Sequence, residues 1–217
     1  MLRKLAVSTA LVTALATPGL ADVIPIGTFA NATLTAVAGG VQVNVVATSG
    51  NSIKLEDGSD VFFNATVALN QNSFTDLAGG VGALSVDFLS SPTLNNVAFT
   101  FKANQNIGGG LGTFADDLTQ IGTGDSRLQG ITSANSIDFI VTGMTVAQLE
   151  GMNSGGFQFG AHICPESGTG TNCSQNTFFA AGNTTVPVPT PEPTSLVIFG
   201  SALASMGLLG LRRRKNV

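Results

Sequence analysis

Apolar and polar residues alternate with a period of two along most of the middle of the chain. Successive side chains of a β-strand point to opposite faces of a sheet, so this alternation predicts strands with one buried face. Clusters of Gly, Asn, Ser and Asp separate the runs and favour turns. The alternating runs lie at residues 34–38, 41–45, 53–55, 61–63, 67–69, 84–88, 97–101, 137–141 and 157–163, with Phe178 and Phe179 in a last strand.

Two short motifs indicate how some of these strands connect. Gly39-Gly40 joins two alternating runs and predicts a tight hairpin turn, because glycine tolerates the positive φ that such turns need. Residues 144–151 predict one short helix that crosses between two strands, with Thr145 as its N-cap and Gln148 as the capping-box partner. The whole pattern predicts an all-β fold: an antiparallel, jelly-roll-like β-sandwich with one short crossover helix.

The first 21 residues follow a different pattern, typical of a secretory signal peptide. Arg3 and Lys4 precede an apolar run at residues 5–16, and small residues lead to a cleavage site between Ala21 and Asp22. The alternative is a permanent membrane anchor. The apolar run has twelve residues, whereas a helix that spans a bilayer needs about 20. The sequence therefore favours a signal that is removed on export.

The other end of the chain has three consecutive parts. Residues 186–195 form a proline-rich spacer that favours an extended conformation, and residues 196–211 form an uncharged apolar run that predicts a single transmembrane helix. The basic tail at residues 212–217 is predicted to stay in the cytoplasm under the positive-inside rule. Residues 22–185 then form the outer domain. The basic stop is made of Arg212, Arg213, Arg214 and Lys215.

The order of these C-terminal parts resembles a known sorting signal. Pro191-Glu192-Pro193, an apolar helix and a terminal arginine cluster together are similar to the PEP-CTERM signal, with the resemblance covering residues 188–215. In that family the tail is recognised and processed by exosortase, an integral-membrane cysteine protease-transpeptidase. The resemblance implies that Pro191, Glu192 and Pro193 are the recognition residues and that cleavage falls close to them.

The family also implies a route and a location for the protein. The expected partners are the export translocon, signal peptidase and exosortase, with the inner membrane engaged transiently through the C-terminal helix. The outer domain would first be anchored outside the inner membrane and would then reach the cell surface or the extracellular space. A structural association with exopolysaccharide or biofilm follows from the resemblance, which says little about the outer domain itself.

The chain has two cysteines, Cys164 and Cys173, and both lie in the exported domain. An even number of cysteines in an oxidising compartment predicts a disulfide. The alternative is a metal or redox pair, but the spacing is not that of a redox motif and a zinc site needs two further ligands. A late cysteine pair is also similar to the cistern family of PEP-CTERM proteins.

Charge excludes some classes of partner. The segment from Asp22 to Pro189 has three basic residues against twelve acids, a formal charge of −9. Such a domain repels phosphate backbones and anionic lipid headgroups, so we expect no binding to nucleic acid and no attachment to an anionic lipid surface.

Two groups of acidic residues and one histidine are the remaining candidates for chemistry. We expect both acidic groups to be solvated turns, with calcium binding as the alternative. Period two places His162 on the solvent side of its strand, beside the disulfide. The acidic groups are Glu56, Asp57 and Asp60, and Asp116, Asp117 and Asp125.

We expect a non-enzymatic protein that needs no metal or cofactor. A polysaccharide- or calcium-binding module is the alternative. A secreted hydrolase using His162, Asp116 and Asp117 ranks last, because the chain has no Trp or Tyr to stack against sugar rings and no nucleophile elbow. The run at residues 108–112 lacks the Lys-Ser/Thr of a phosphate-binding loop and predicts a surface turn.

Overall fold

The computed structural model describes residues 21–55, 58–88, 91–128, 131–165, 173 and 177–184, and the side chains of residues 91 and 92 are excluded. The chain divides into two units, residues 1–183 and 184–217. Apart from Thr184, the second unit lies outside the described residues, as do the predicted transmembrane helix and all of the predicted signal peptide before Ala21. In the described part of the chain, no helix has the length and apolarity needed to cross a membrane.

The described residues form fourteen strands and one short α-helix. The helix, α1, spans Val146–Leu149, and two 3-10 turns span Gln71–Ser73 and Ser126–Leu128. The strands in chain order are β1 Asp22–Ile26, β2 Ala30–Val37, β3 Gly40–Ala47, β4 Ser52–Lys54, β5 Ser59–Phe63, β6 Phe74–Thr75, β7 Leu84–Phe88, β8 Ser91–Val97, β9 Thr100–Ile107, β10 Gly112–Thr119, β11 Ser133–Ala134, β12 Ser136–Thr142, β13 Phe159–Cys164 and β14 Phe178–Gly182.

The strands make two antiparallel sheets of seven strands each. The first sheet has the order β1-β2-β3-β12-β7-β8, with β6 also paired to β12. The second has the order β11-β4-β13-β5-β10-β9, with β14 also paired to β13. Apolar residues from both sheets share one main core, so the all-β, sandwich-like architecture is confirmed. The jelly-roll assignment stays a prediction.

The hairpin predicted between the runs at 34–38 and 41–45 is formed by β2 and β3, but its two turn residues are Ala38 and Gly39, because Gly40 pairs with Val37 as the first residue of β3. Buried and more exposed residues alternate along β2 and β3, and Gly39 between them has φ +89°. A Cβ on Gly40 would lie 2.1 Å from the carbonyl oxygen of Val141 on β12. Glycine at this position therefore allows β3 to lie against β12.

The predicted crossover helix is also confirmed. Thr145 is the N-cap of α1, its backbone N–H donates to Oε1 of Gln148 at 2.9 Å, and Leu149 is buried. The helix lies between β12 of the first sheet and β13 of the second. A local capping pattern thus marks the place where the chain changes sheets.

Two predicted strands are wrong. The run at 97–101 is a corner, because β8 ends at Val97 in the first sheet and β9 begins at Thr100 in the second. Val97 at the end of β8 is buried, and so is Phe99 in the link before β9. The run therefore alternates as a strand would, although it is not one continuous strand. The run at 67–69 is irregular, and the backbone N–H of Thr66 donates to the carbonyl of Gln148.

Candidate functional site

The predicted sorting residues and the predicted cleavage site lie at opposite ends of the chain. Pro191, Glu192 and Pro193 lie outside the described residues, as does the basic stop at 212–215. Ala21 is exposed and directly precedes β1, in which Asp22 pairs with Leu34 of β2. The first residue after the predicted cut is thus also the first residue of the sandwich, and cleavage at this position stays a prediction.

Cys164 and Cys173 form a disulfide, as the sequence predicts, with their Cα atoms 5.8 Å apart. Cys164 is the last residue of β13 and is buried. The backbone N–H of Cys173 donates to Oγ1 of Thr132 at 2.9 Å. The bridge therefore ties the segment that precedes β14 to the end of the strand with which β14 pairs.

Replacing both cysteines with serine should lower the free energy of unfolding by about 2–3 kcal/mol. The bridge closes a loop with a sequence separation of nine residues, and its loss returns conformational entropy to the unfolded chain. Urea unfolding of the mature exported protein would measure the change. Wild-type protein treated with a reductant should unfold at the same urea concentration as the double variant. An unchanged midpoint in both samples would contradict this expectation.

His162 is buried, which corrects the expectation that it faces solvent. Its strand alternates as predicted, because Phe159, Ala161 and Ile163 lie in the main core and His162 lies on the opposite face. That face is covered by Phe179 of β14, directly across from His162, with ring centroids 4.4 Å apart. A sequence pattern that assigns faces does not show that β14, which pairs beside β13, places an aromatic ring against His162.

A second hydrophobic cluster, formed by Phe62, Ile107 and Phe114, lies on this outer face of the second sheet. The rings of Phe62 and Phe114 meet edge to face with centroids 4.7 Å apart, and Phe179 packs against Phe62. A Cβ on Gly160 would lie 2.1 Å from Cε2 of Phe62, so glycine makes room for this ring on the neighbouring strand. The second sheet therefore buries apolar side chains on both faces.

Asp116 and Asp117 are buried in β10, which corrects the expectation of a solvated turn. Asp116 pairs in register with Phe63 and Asp117 with Phe62, so the two carboxyls lie on opposite faces of the sheet. The run Phe-Ala-Asp-Asp-Leu-Thr at 114–119 has no regular period-two alternation, and Phe114 packs in the second cluster whereas Leu118 packs in the main core, so no local signal marks this strand.

The other predicted acidic residues have separate surroundings. Asp60 is buried in β5, where its Oδ2 accepts the backbone N–H of Ile121 at 2.8 Å. Asp125 accepts hydrogen bonds from Arg127, which hold the pKa of its carboxyl below the usual range. Glu56 and Asp57 lie outside the described residues. Within the described ranges, no group of three or more His, Cys, Asp and Glu side chains is placed to hold a metal ion.

Sequence reasoning missed the side chain that organises one end of the first sheet. Asp76 is buried, and its carboxylate accepts the backbone N–H groups of Ala78, Gly80 and Asn96. The bonds to Ala78 and Gly80 are local and typical of an Asx turn, which the Asp-Leu-Ala-Gly-Gly sequence could have indicated. The bond to Asn96 spans twenty residues and has no local signal.

The comparisons with known proteins concern the C-terminal tail. Residues 189–215 match the family model of the PEP-CTERM protein-sorting motif. No curated protein and no solved structure matches the chain. The matched residues include the Pro-Glu-Pro tripeptide, the apolar run and the basic residues. The chain is therefore a disulfide-containing, all-β protein that carries a PEP-CTERM protein-sorting motif at residues 189–215.

Proposed function

We propose that this chain is an exported cell-surface or extracellular-matrix protein, sorted and processed by exosortase. The observation that carries the proposal is the PEP-CTERM motif at residues 189–215. Its apolar part at 196–211 serves as a temporary transmembrane helix, and the basic residues after it stay in the cytoplasm. The N-terminal signal peptide, cut between Ala21 and Asp22, starts export through the translocon. The Cys164–Cys173 disulfide supports a final location in an oxidising compartment.

The outer domain acts as a structural cargo and not as an enzyme. The side chains with catalytic potential take part in packing. The ring of His162 packs against that of Phe179, and Asp116 and Asp117 of β10 are buried. Asp116 accepts a backbone N–H from Ala65, and Asp117 accepts the hydroxyl of Ser59. These contacts support a role for all three residues in building the sandwich.

The structural role is an association with exopolysaccharide or biofilm. Its support is a patch of partly exposed polar side chains on the outer face of β2 and β3, where Thr33 pairs with Asn44 and Thr35 pairs with Gln42. Amide and hydroxyl groups are suitable hydrogen-bonding partners for sugar hydroxyls. Calorimetric titration of the mature protein with the host's own exopolysaccharide tests this part of the proposal, and the absence of heat would remove it.

Replacing Pro191, Glu192 and Pro193 together with alanine should strongly reduce processing of the tail. The variant keeps the apolar run and the basic stop, so it should still be exported and should stay in the membrane as an uncut precursor. We expect a reduction of roughly ten-fold or more in mature product, since the recognition contacts are lost. Intact-mass measurement of membrane and extracellular fractions from the native host gives both the mass and the location.

Pro187→Ala is the matched control, because this spacer proline precedes the residues that match the motif. It should be processed like the wild type. If the triple variant yields the wild-type mature mass in the wild-type fraction, the tripeptide is not the recognition element and the proposal fails.

A further inference from the structure

Strand β10 holds the outer hairpin of the second sheet to the rest of the sandwich. β9 and β10 form this hairpin, which turns through the glycines at 108–110, and β5 pairs with β10 on its inner side. The hairpin contributes Ile107 and Phe114 to the second hydrophobic cluster, and its tip is held by a 2.8 Å hydrogen bond from Asn153 Nδ2 to the carbonyl of Leu111. Separation of β10 from β5 would therefore uncover Phe62.

Two carboxyls make hydrogen bonds across the seam between β5 and β10. Oδ2 of Asp117 accepts the hydroxyl of Ser59 at 2.7 Å, and Oδ2 of Asp116 accepts the backbone N–H of Ala65 at 2.8 Å, just beyond the end of β5. Asp117 is 1% exposed and Asp116 is 2% exposed. Oδ1 of Asp117 is buried and has no hydrogen-bond partner.

The charged groups around this seam do not neutralise the two carboxylates. On β5, Asp60 adds a further buried acid. On β9, Lys102 pairs in register with Asp117, but its side chain is exposed. On β13, beyond β5, His162 stacks near Phe179. In the described part of the chain, neither Asp116 nor Asp117 forms an ion pair with Lys, Arg or His.

Burial therefore penalises the charged forms of both residues. It raises the pKa of Asp116 to about 6 against the opposing hydrogen bond from Ala65. It also raises the pKa of Asp117 to about 6, against the hydrogen bond from Ser59 and the attraction of Lys102. When the seam opens, both carboxyls reach water and return to the ordinary value of about 4.

We propose that the seam between β5 and β10 is a pH-responsive latch, closed while Asp116 and Asp117 are protonated and loosened when both ionise. A carboxyl whose pKa is higher in the closed form holds its proton more tightly when the seam is closed. The resulting stabilisation is complete below a pH of about 4 and is lost as the pH rises through about 6. Because the outer domain is exported, this transition falls in the range that an external medium can reach.

Hydrogen exchange on the mature exported protein tests the latch. Amides of β9 and β10 should open roughly 50-fold more often at a pH of about 7 than at about 4 for each carboxyl that ionises, after correction for the intrinsic exchange rate. Amides of the β2–β3 hairpin in the first sheet provide the internal reference and should show a smaller change. Equal protection of β9 and β10 at the two pH values would overturn the proposal without any variant.

The double variant D116N/D117N has neutral side chains of similar shape at both pH values and should lose the pH dependence in the hairpin. Asp138→Asn is the matched control, because burial also raises the pKa of that carboxyl but it lies in β12 of the first sheet. This control should keep the hairpin response. If the double variant does not fold, Asp117→Asn alone should lower the ratio of opening frequencies between the two pH values by roughly 50-fold. A full response in D116N/D117N, or in Asp117→Asn where the double variant does not fold, would show that other groups cause it and would overturn the proposal.

Discussion

Replacing Phe63 with alanine should lower the free energy of unfolding by about 3–5 kcal/mol. Phe63 is fully buried on β5, and its ring stacks on that of Phe159 with centroids 5.1 Å apart. Across the sandwich, the centroid of its ring lies 6.3 Å from that of Phe74 and 6.2 Å from that of Phe139, both in the first sheet. Alanine would leave a cavity where the two sheets meet, and the neighbouring rings can fill only part of it.

Urea unfolding of the mature exported protein, followed by circular dichroism, measures this loss. The expected change is a large part of the 5–15 kcal/mol that stabilises a typical domain, so the midpoint should fall clearly. Val81→Ala is the control, since Val81 is 67% exposed, and it should stay within about 0.5 kcal/mol of the wild type. A Phe63→Ala protein as stable as this control would show that the aromatic contact between the sheets contributes little.

The fold class could be predicted because half-buried strands have a local signature. β2 and β3 are the clearest case: Leu34, Val41, Val43 and Val45 are buried where the period-two pattern places them. The capping residues Thr145 and Gln148 likewise predict α1, since a capping box needs only residues that are close in sequence.

The pairing of strands could not be predicted, because it depends on residues that are far apart in sequence. The run at 97–101 alternates as a strand does, yet it carries the chain from one sheet to the other. Alternation shows that every second side chain is buried, but it does not show which sheet the segment belongs to. For the same reason, nothing local indicates that Phe179 of β14 packs against His162 or that Asp116 and Asp117 of β10 are buried.

The sorting motif could be predicted without a fold. The sequence pattern is the linear order of a Pro-Glu-Pro tripeptide, an apolar run and a basic end, and these residues lie within the match at 189–215. The disulfide is intermediate: Cys164 and Cys173 are close in sequence, but their pairing also needs the end of β13 to approach the segment before β14. Asp76 is the opposite case, because the acceptor and one of its donors meet only in the folded sheet.

Replacing Asp76 with alanine should lower the free energy of unfolding by about 3–4 kcal/mol. The carboxylate is 1% exposed, and its Oδ1 accepts the backbone N–H groups of Ala78 at 2.9 Å and Gly80 at 2.6 Å. Its Oδ2 accepts the N–H of Asn96 on β8 at 2.5 Å. Alanine would leave these donors without their acceptor, and hydrogen bonds to a charged group are stronger than neutral ones. Urea unfolding of the mature exported protein measures the loss.

Two further variants separate the hydrogen bonds from the charge. Asp76→Asn keeps an oxygen for Ala78 and Gly80 but turns an NH₂ group toward the N–H of Asn96, so its loss should fall between those of wild type and alanine. Burial is the main reason that the pKa of Asp138 is raised, and repulsion from Asp87 adds to it, so Asp87→Ala should be neutral or slightly stabilising. If Asp76→Ala unfolds at the same urea concentration as Asp87→Ala, the Asp76 carboxylate does not hold β8 to the loop between β6 and β7. In that case the first sheet is stabilised at this end by strand pairing and apolar packing alone.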